Sequence, residues 1–149
     1  MLDGLFVTPA VTSIEEALAA LGDRGRAIAV VGNAKLASAL AGSHDVTPVG
    51  MSERAAKKLP STIADTRGLP ARSLDAVVGV DITEDDAWHD TLREWTRVTR
   101  DGGAIVLVDR GRDAEASRRA LCAGLSELEQ RHAGKTVITS GLVTHLPDD

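Results

Sequence analysis

Short apolar segments alternate with helix-forming segments along most of this 149-residue chain. An apolar run of about four to eight residues bounded by turn residues is typical of a strand buried on both faces of a parallel sheet. Strand–helix–strand connections of this kind are right-handed, so helices are expected on both faces of the sheet. The pattern therefore predicts an α/β fold, with strands at residues 27–31, 46–49, 62–64, 74–80 and 104–108.

Capping signals predict where the helices begin. Ser13 and Glu16 have the spacing of a capping box, which predicts a helix from Ser13 to Gly22 after a lead-in over residues 1–12. Thr83 is followed by three acidic residues that complement a helix dipole, so a helix is predicted to start there as well. The other predicted helices start after Asn33, after Ser52 and near residue 113.

The end of the chain follows a different pattern. Residues 127–146 hold two extended segments separated by Gly134-Lys135, with no helical pattern between them, which predicts an antiparallel hairpin. Together with the five strands above, the hairpin gives an expected sheet of seven strands, mostly parallel. A length of 149 residues fits a single domain, in which residues 1–25 form the lead-in and first helix and residues 26–146 form the core.

Composition argues against several classes of protein. The formal net charge is −5, no basic run exceeds two residues, and the chain has two Trp, one Phe and no Tyr. Nucleic-acid-binding proteins normally show clustered basic residues, and many stack bases on aromatic side chains. No apolar stretch approaches the roughly 20 residues of a transmembrane helix, and no basic residue precedes an apolar signal segment. We therefore expect a cytoplasmic protein without a nucleic-acid or membrane partner.

Cysteine and histidine give no sign of a metal or redox site. Cys122 is the single cysteine, so it cannot form an internal disulfide, and its apolar neighbours predict a buried, inert thiol. The four histidines have no spacing typical of a zinc site, and each is predicted at the surface. No bound metal is expected.

Residues 92–109 combine a helix bearing leucine and arginine, the turn Asp101-Gly102-Gly103 and an apolar strand. This segment resembles the helix–turn–strand signature of class I S-adenosylmethionine (SAM)-dependent methyltransferases, with Asp101 where that family usually has proline. Upstream, Asp65, the pair Leu69-Pro70 and the run at 73–78 are similar to the family's third-strand aspartate, leucine–proline pair and fourth strand. With the terminal hairpin, the resemblance covers nearly the whole chain.

The resemblance implies a Rossmann-like seven-stranded sheet that binds SAM across the carboxyl ends of its first strands, as open α/β sheets bind ligands in general. Asp65 matches the position that contacts the adenine amino group. Asp81, at the end of the fourth strand, is the candidate to orient or deprotonate a methyl acceptor. The residues implied in cofactor binding are Gly32, Asn33, Ala34, Gly50, Met51, Asp65, Thr66 and Gly79.

The cofactor motifs depart from those of the family at four positions. Val30 stands at the acidic residue of the first-strand loop, and Ala34 and Leu36 stand at its second and third glycines, where a Cβ is expected to obstruct the ligand. Gly50 stands at the acidic residue that accepts hydrogen bonds from both ribose hydroxyls. Because bidentate, charge-assisted contacts are strong, we expect SAM binding to be weakened or lost.

Three functions are compatible with such a domain. The first is a non-catalytic binding or regulatory subunit with the methyltransferase fold. The second is a small active SAM-dependent methyltransferase of unknown acceptor, which Gly32, Asp65 and Asp81 leave open. A receiver-like regulatory domain ranks last, because it needs an acidic pair after the first strand and a lysine after the fifth, where this chain has Gly32-Asn33 and Asp109-Arg110.

A domain this small is expected to act with a partner. The partner is either a second copy of the chain or another protein, docked on the N-terminal helix or on the edge of the hairpin, because sheet edges pair readily.

Overall fold

The computed structural model describes residues 2–21, 27–59 and 61–145, with the side chains of the first helix described from Ala10 onward. The helices of this part of the chain are α1 (Leu2–Ala19), α2 (Ala34–Leu40), α3 (Glu53–Ala56), α4 (Trp88–Val98) and α5 (Asp113–Cys122). The strands are β1 (Ala27–Val31), β2 (Asp45–Val49), β3 (Leu74–Val80), β4 (Thr99–Arg110), β5 (Ser126–Ala133) and β6 (Thr136–Leu142). A 3₁₀ turn, Ile82–Glu84, lies between β3 and α4.

The strands form one sheet in the order β2-β1-β3-β4-β6-β5. The first four strands in this order run parallel, and β6 pairs antiparallel with both β4 and β5. The mixed α/β sheet with a terminal antiparallel hairpin is therefore confirmed. The apolar runs predicted β1 and β3 to the residue.

The expectation of seven strands is wrong, because within the described ranges the segment 62–64 forms only an isolated parallel bridge at Ile63. The Ile63 N–H donates to the Pro48 carbonyl at 3.0 Å. The next bond of a parallel ladder, toward the start of β2, needs an N–H at position 48, which proline lacks. On the other side Asp65 turns the chain, because its carboxylate accepts a backbone N–H two residues later. The segment therefore cannot extend into a strand.

Helices cover both faces of the sheet, and each face has its own core. Alternate residues of a strand point to opposite faces, so Val30 packs with α1 and α2 whereas Ala29 packs on the side of α4 and α5. The largest buried side chains that α1 and α2 contribute are Ile14, Leu18, Leu36 and Leu40. Those of α4 and the segment after α5 are Leu92, Trp95, Val98 and Leu125.

The first helix begins well before the predicted start. It runs from Leu2, so Ser13 lies in its interior and the predicted lead-in is helical. Ala10, Ile14 and Leu18 are fully buried at helical spacing, so packing on the sheet continues upstream of the local capping signal and outweighs it. The predicted stop at Gly22 lies outside the described residues. Within the described ranges, no helix is both long and apolar enough to span a membrane.

The helix predicted from Thr83 also starts elsewhere. The Thr83 N–H and Oγ1 both donate to Asp109 Oδ1, at 3.0 and 2.9 Å, so this residue serves a tertiary contact. Asp85 replaces it as the local capping group: its Oδ1 accepts the Ala87 N–H and its Oδ2 accepts the Thr91 hydroxyl, both at 2.8 Å. Helix α4 therefore begins after Asp85, at Trp88.

For two side chains the predicted burial is wrong. Cys122 is exposed, because it lies two positions after the buried Ala120 of α5 and so falls on the solvent side of the helix. His44 is buried rather than superficial, and its Nε2 pairs with Glu15 of α1. The histidine therefore belongs to the packing between α1 and the turn that precedes β2.

Candidate functional site

A cleft of about 480 Å³ opens at the carboxyl ends of the parallel strands. Open α/β sheets bind their ligands at this edge, because loops rather than side chains of the core shape it. The apolar part of its lining is Val31, Val49, Val80, Ile82 and Trp95. The rest of its lining is Gly50, Ala64, Asp65, Thr66, Arg67, Asp85, Asp90, Thr91 and Glu94.

A second cavity of about 370 Å³ lies on the other side of the end of β3. Val80 lines both spaces, so the last residue of β3 separates them. The polar lining of the second cavity is Asn33, Asp81, Thr83, Glu84, Arg110 and Arg112. This cavity is polar and charged, whereas the cleft has an apolar wall.

The structure brings only part of the predicted cofactor set together. Gly50, Asp65 and Thr66 line the cleft, and Asn33 lines the second cavity. Asn33 also caps α2 as predicted, because its side chain accepts the Leu36 N–H at 2.9 Å.

The other predicted cofactor residues lie outside the cleft lining. Ala34 lines a surface groove between α2 and α3, and Met51 packs against the core under α1. Gly32 has a φ of +88° and donates its N–H to the Val49 carbonyl at 3.1 Å, so it forms the turn that leads into α2. A left-handed φ at this turn favours glycine.

The packing of α4 on β3 requires a glycine at position 79. A Cβ built on Gly79 would lie 2.1 Å from the Trp95 ring. Gly79 is buried under that indole and is not among the residues that line the cleft. Gly79 therefore lets Trp95 lie flush against β3, and Trp95 in turn forms a wall of the cleft.

The residues at the altered glycine positions do not shape the cleft. Leu36 is fully buried in the core under α1 and Ala34 faces the groove beside α3, so neither Cβ fills the space where the resemblance places the ligand. Val30 is buried in the same core. Gly50 presents bare backbone to the cleft, with a φ of +67°. The structure therefore does not support the expected obstruction of the cleft by Ala34 and Leu36.

Carboxylates dominate the charge of the cleft. Four of them, Asp65, Asp85, Asp90 and Glu94, share its lining with a single guanidinium, that of Arg67. Asp65 and Asp85 accept backbone N–H groups of their own turns. Asp90 and Glu94 project from α4 one turn apart, as the i, i+4 spacing on one helix face requires.

Sequence reasoning missed the whole α4 wall, which consists of Asp90, Thr91, Glu94 and Trp95. The available signal was the i, i+4 repeat of acidic residues beside the apolar stripe of this helix. The apolar stripe by itself predicts only packing against the core.

An arginine on α4 holds the loop that carries Asp65. The Arg97 guanidinium donates to the Leu69 carbonyl at 3.1 Å and to the Thr66 carbonyl at 3.2 Å. It also forms an ion pair with Glu94 at 2.6 Å. Hydrogen bonding to Arg97 lowers the pKa of Glu94, so this carboxylate stays ionised in the cleft at neutral pH.

Asp81 lies in the second cavity in a left-handed conformation, with a φ of 62°. Desolvation raises the pKa of its carboxyl, and the nearby carboxylates of Glu84 and Asp109 raise it further, while Arg110 lowers it. Arg112, which lines the same cavity, also has a positive φ. Non-glycine residues in this region store strain, which often accompanies functional sites.

Several solved structures share the fold of this chain. No protein-family model matches the sequence, and no curated protein matches it. A chain of the complex between the Haloferax volcanii Trm112 methyltransferase activator and a methyltransferase superposes with a TM-score of 0.74 at 15% identity, covering 99% of this chain and 94% of that one. The Burkholderia thailandensis 1,6-didemethyltoxoflavin-N1-methyltransferase, solved with S-adenosylhomocysteine, gives 0.69 at 12% identity over 91% and 79%. This chain has the class I methyltransferase fold.

The same fold also serves other chemistry. The [4+2]-cyclase SpnF superposes with a TM-score of 0.67 at 12% identity, covering 91% of this chain and 82% of that one. At such identities the class I methyltransferase fold is shared while substrates and activity are not implied.

Proposed function

We propose that this chain is a methyltransferase-fold protein with weakened or lost SAM binding that acts as a non-catalytic binding or regulatory subunit. The observation that carries the proposal is the end of β2. There the cleft is bordered by Val49 and Gly50, so no side chain of this strand end can accept hydrogen bonds from a ribose diol.

Two of the four carboxylates that line the cleft are already engaged by other groups of the protein. Both oxygens of Asp85 already accept hydrogen bonds, from Ala87 and Thr91, and both oxygens of Glu94 accept bonds from Arg97. A hydrogen bond to a charged group contributes about 1.5–3 kcal/mol, so losing a bidentate contact weakens a ligand by at least about tenfold. The lost contacts therefore favour weak SAM binding over tight binding.

Titration calorimetry with SAM and with S-adenosylhomocysteine tests the proposal. We expect dissociation constants weaker than about 100 µM, as a complex without the ribose contacts should show. A dissociation constant in the low micromolar range for the wild-type protein would overturn the proposal.

Gly50→Asp tests whether the missing acid is the cause. A Cβ at position 50 would lie 3.7 Å from the Ala64 carbonyl oxygen, which is an ordinary contact, and Asp and Asn tolerate a left-handed φ better than most residues. Gly50→Asn is the matched control, because it has the same shape without the charge. We expect the Asp variant to bind SAM at least about tenfold more tightly than the Asn variant.

The regulatory role also requires a partner, and the Trm112 complex supports one. In that complex a methyltransferase activator is bound to a methyltransferase, and a chain of it shares this fold. A second copy of this chain is the other candidate partner. Light scattering after size-exclusion chromatography decides between them: a dimer at micromolar concentration supports self-association, and a monomer directs the search to another protein.

The alternative function is a small active methyltransferase of unknown acceptor. The position and raised pKa of Asp81 favour it, because a carboxylate of raised pKa is a better proton acceptor. Formation of S-adenosylhomocysteine from SAM with a panel of amine, hydroxyl and thiol acceptors would establish this activity, and its loss in Asp81→Asn would assign the residue. We expect no product under the binding-subunit proposal.

A further inference from the structure

Trp95 offers an unused hydrogen-bond donor to the cleft. The residue is only 5% exposed and lines the cleft, yet its indole N–H donates to no atom of the described residues. The side-chain atoms that are both sealed from solvent and unpartnered in this part of the chain are His44 Nδ1, Asp109 Oδ2 and Arg131 Nη1. Because the Trp95 nitrogen is absent from this group, it keeps some contact with solvent.

Thr66 offers a second unused polar group. It is 4% exposed and lines the same cleft. Its carbonyl accepts bonds from Leu69 and Arg97, but its hydroxyl has no partner among the described residues. Both residues are at most 5% exposed and line the cleft, so each can donate a hydrogen bond to a ligand that enters it.

The charge of the cleft indicates the sign of that ligand. The lining holds four carboxylates and one guanidinium, and one of the carboxylates, Glu94, is ion-paired with Arg97. The carboxylate of Asp90, on α4, has no hydrogen bond or ion pair among the described residues. A recess lined by one sign of charge with low-dielectric walls concentrates ligands of the opposite sign. Val31, Val49 and Ile82 form the apolar wall that faces these carboxylates.

We propose that the cleft binds a small organic cation that has a flat apolar body and a protonated amine. The apolar body lies between Trp95 and the valines at the ends of β1 and β2. The amine faces Asp90, and an acceptor atom of the ligand or a bound water accepts the Trp95 N–H. A volume of about 480 Å³ suits a ligand of this size. This inference rests on the proposed function, because it gives the cleft a ligand other than SAM.

Intrinsic fluorescence can report on this cleft directly. The chain has two tryptophans and no tyrosine, so Trp88→Phe leaves Trp95 as the single strong emitter. Trp88 lies outside the cleft lining, where it stacks with Arg118 and Arg119 of α5. The probes are 2-phenylethylamine, its neutral counterpart 2-phenylethanol and the anion 3-phenylpropionate. We expect the amine to quench or shift Trp95 emission in a saturable way. The alcohol should bind at least about fivefold more weakly, and the anion should not bind.

Asp90→Asn tests the charge assignment in the Trp88→Phe background. Asp86→Asn is the matched control, because Asp86 is exposed just before the same helix and does not line the cleft. We expect Asp90→Asn to weaken amine binding by about two- to fivefold, the effect of one partly solvated charge, and Asp86→Asn to leave it unchanged. Added salt should weaken the amine and leave the alcohol unaffected.

The outcomes separate this inference from the proposed function. If 2-phenylethanol binds as tightly as the amine, or if no probe alters Trp95 emission, the cation proposal is overturned. If the amine prefers the cleft and SAM also binds with low-micromolar affinity, the proposed loss of SAM binding fails while the preference of the cleft for cations stands. Equal effects of Asp90→Asn and Asp86→Asn would reject the placement of the amine beside α4.

Discussion

Two buried residues, Gly79 and Asp109, are each constrained by a single neighbouring side chain. Gly79 has no room for a side chain, because the Trp95 ring occupies the space where its Cβ would lie. Asp109 is buried to 1% exposure, and its Oδ1 accepts both the N–H and the hydroxyl of Thr83 while its Oδ2 has no partner among the described residues. Gly79 of β3 packs on α4, and Asp109 of β4 holds the 3₁₀ turn at Thr83. Substitutions at either residue should therefore change the stability of the fold.

Gly79→Ala should destabilise the fold. Its Cβ would lie 2.1 Å from the Trp95 ring, and overpacking of this kind costs about 1–3 kcal/mol in the free energy of unfolding. Gly42→Ala is the control, since its Cβ would lie 3.9 Å from the nearest atom. Urea unfolding measures both. Adding Trp95→Phe to Gly79→Ala should recover part of the loss, and strictly additive effects would show that the two residues do not clash.

Asp109→Asn should change how stability depends on pH. Burial raises the pKa of the Asp109 carboxyl above its model-compound value of 3.8. The folded state then favours the protonated acid, so the contribution of Asp109 is full at low pH and is lost as the pH rises through the folded pKa. Asn keeps an oxygen acceptor for Thr83 without the charge. We expect the stability of the variant relative to wild type to increase from about pH 4 to pH 7, and a pH-independent difference in urea midpoints would contradict this.

At the scale of helices and strands, the sequence predicted those features that depend on local pattern. The apolar runs gave β1 and β3, and Asn33 and Ser52 cap their helices as expected. Features set by distant partners could not be read from the chain. The missing seventh strand depends on Pro48 facing the outer edge of β2. In the same way, the bond from Thr83 to Asp109 moves the start of α4.

The candidate site shows the same division. Gly50, Asp65 and Thr66 follow strand ends, where any parallel sheet gathers its ligand-binding residues, and they do line the cleft. Asp90 and Glu94 come from α4, whose rotation against the sheet is set by the packing of Trp95 on Gly79. No local pattern specifies that rotation, so this wall of the cleft required the structure.

Arg97→Lys should loosen the loop over residues 65–72. The guanidinium joins Glu94 to the carbonyls of Thr66 and Leu69, and a lysine ammonium cannot reproduce this forked contact. We expect a loss of about 1–3 kcal/mol in local stability, seen as faster hydrogen exchange of the Leu69 amide. Arg93→Lys, on the exposed face of the same helix, should leave this exchange unchanged. Equal exchange in both variants would mean that Arg97 does not hold the loop.

At the scale of the whole molecule, α1 connects parts of the chain that are far apart in the sheet. Glu15 pairs with His44, in the turn before the edge strand β2, and hydrogen-bonds the Ser43 hydroxyl at 3.2 Å. Glu16 pairs with Arg131 of β5, the opposite edge strand, at 3.5 Å. Helix α1 thus closes one face of the sheet from edge to edge, and the two contacts differ chiefly in burial: the His44 side chain is 3% exposed, whereas that of Glu16 is 60% exposed.

Glu15→Ala and Glu16→Ala form a matched pair that tests this closure. The two substitutions make the same change at adjacent positions of one helix, so differences in helix propensity cancel. Removing Glu15 leaves the buried His44 ring without a partner on either nitrogen, because its Nδ1 already has none among the described residues, and this should cost about 1–3 kcal/mol. Removing Glu16 breaks only an exposed ion pair, which should cost at most about 0.5 kcal/mol. If urea unfolding shows equal losses, the buried contact of His44 does not secure α1, and the apolar residues Ala10, Ile14 and Leu18 alone hold the helix on the sheet.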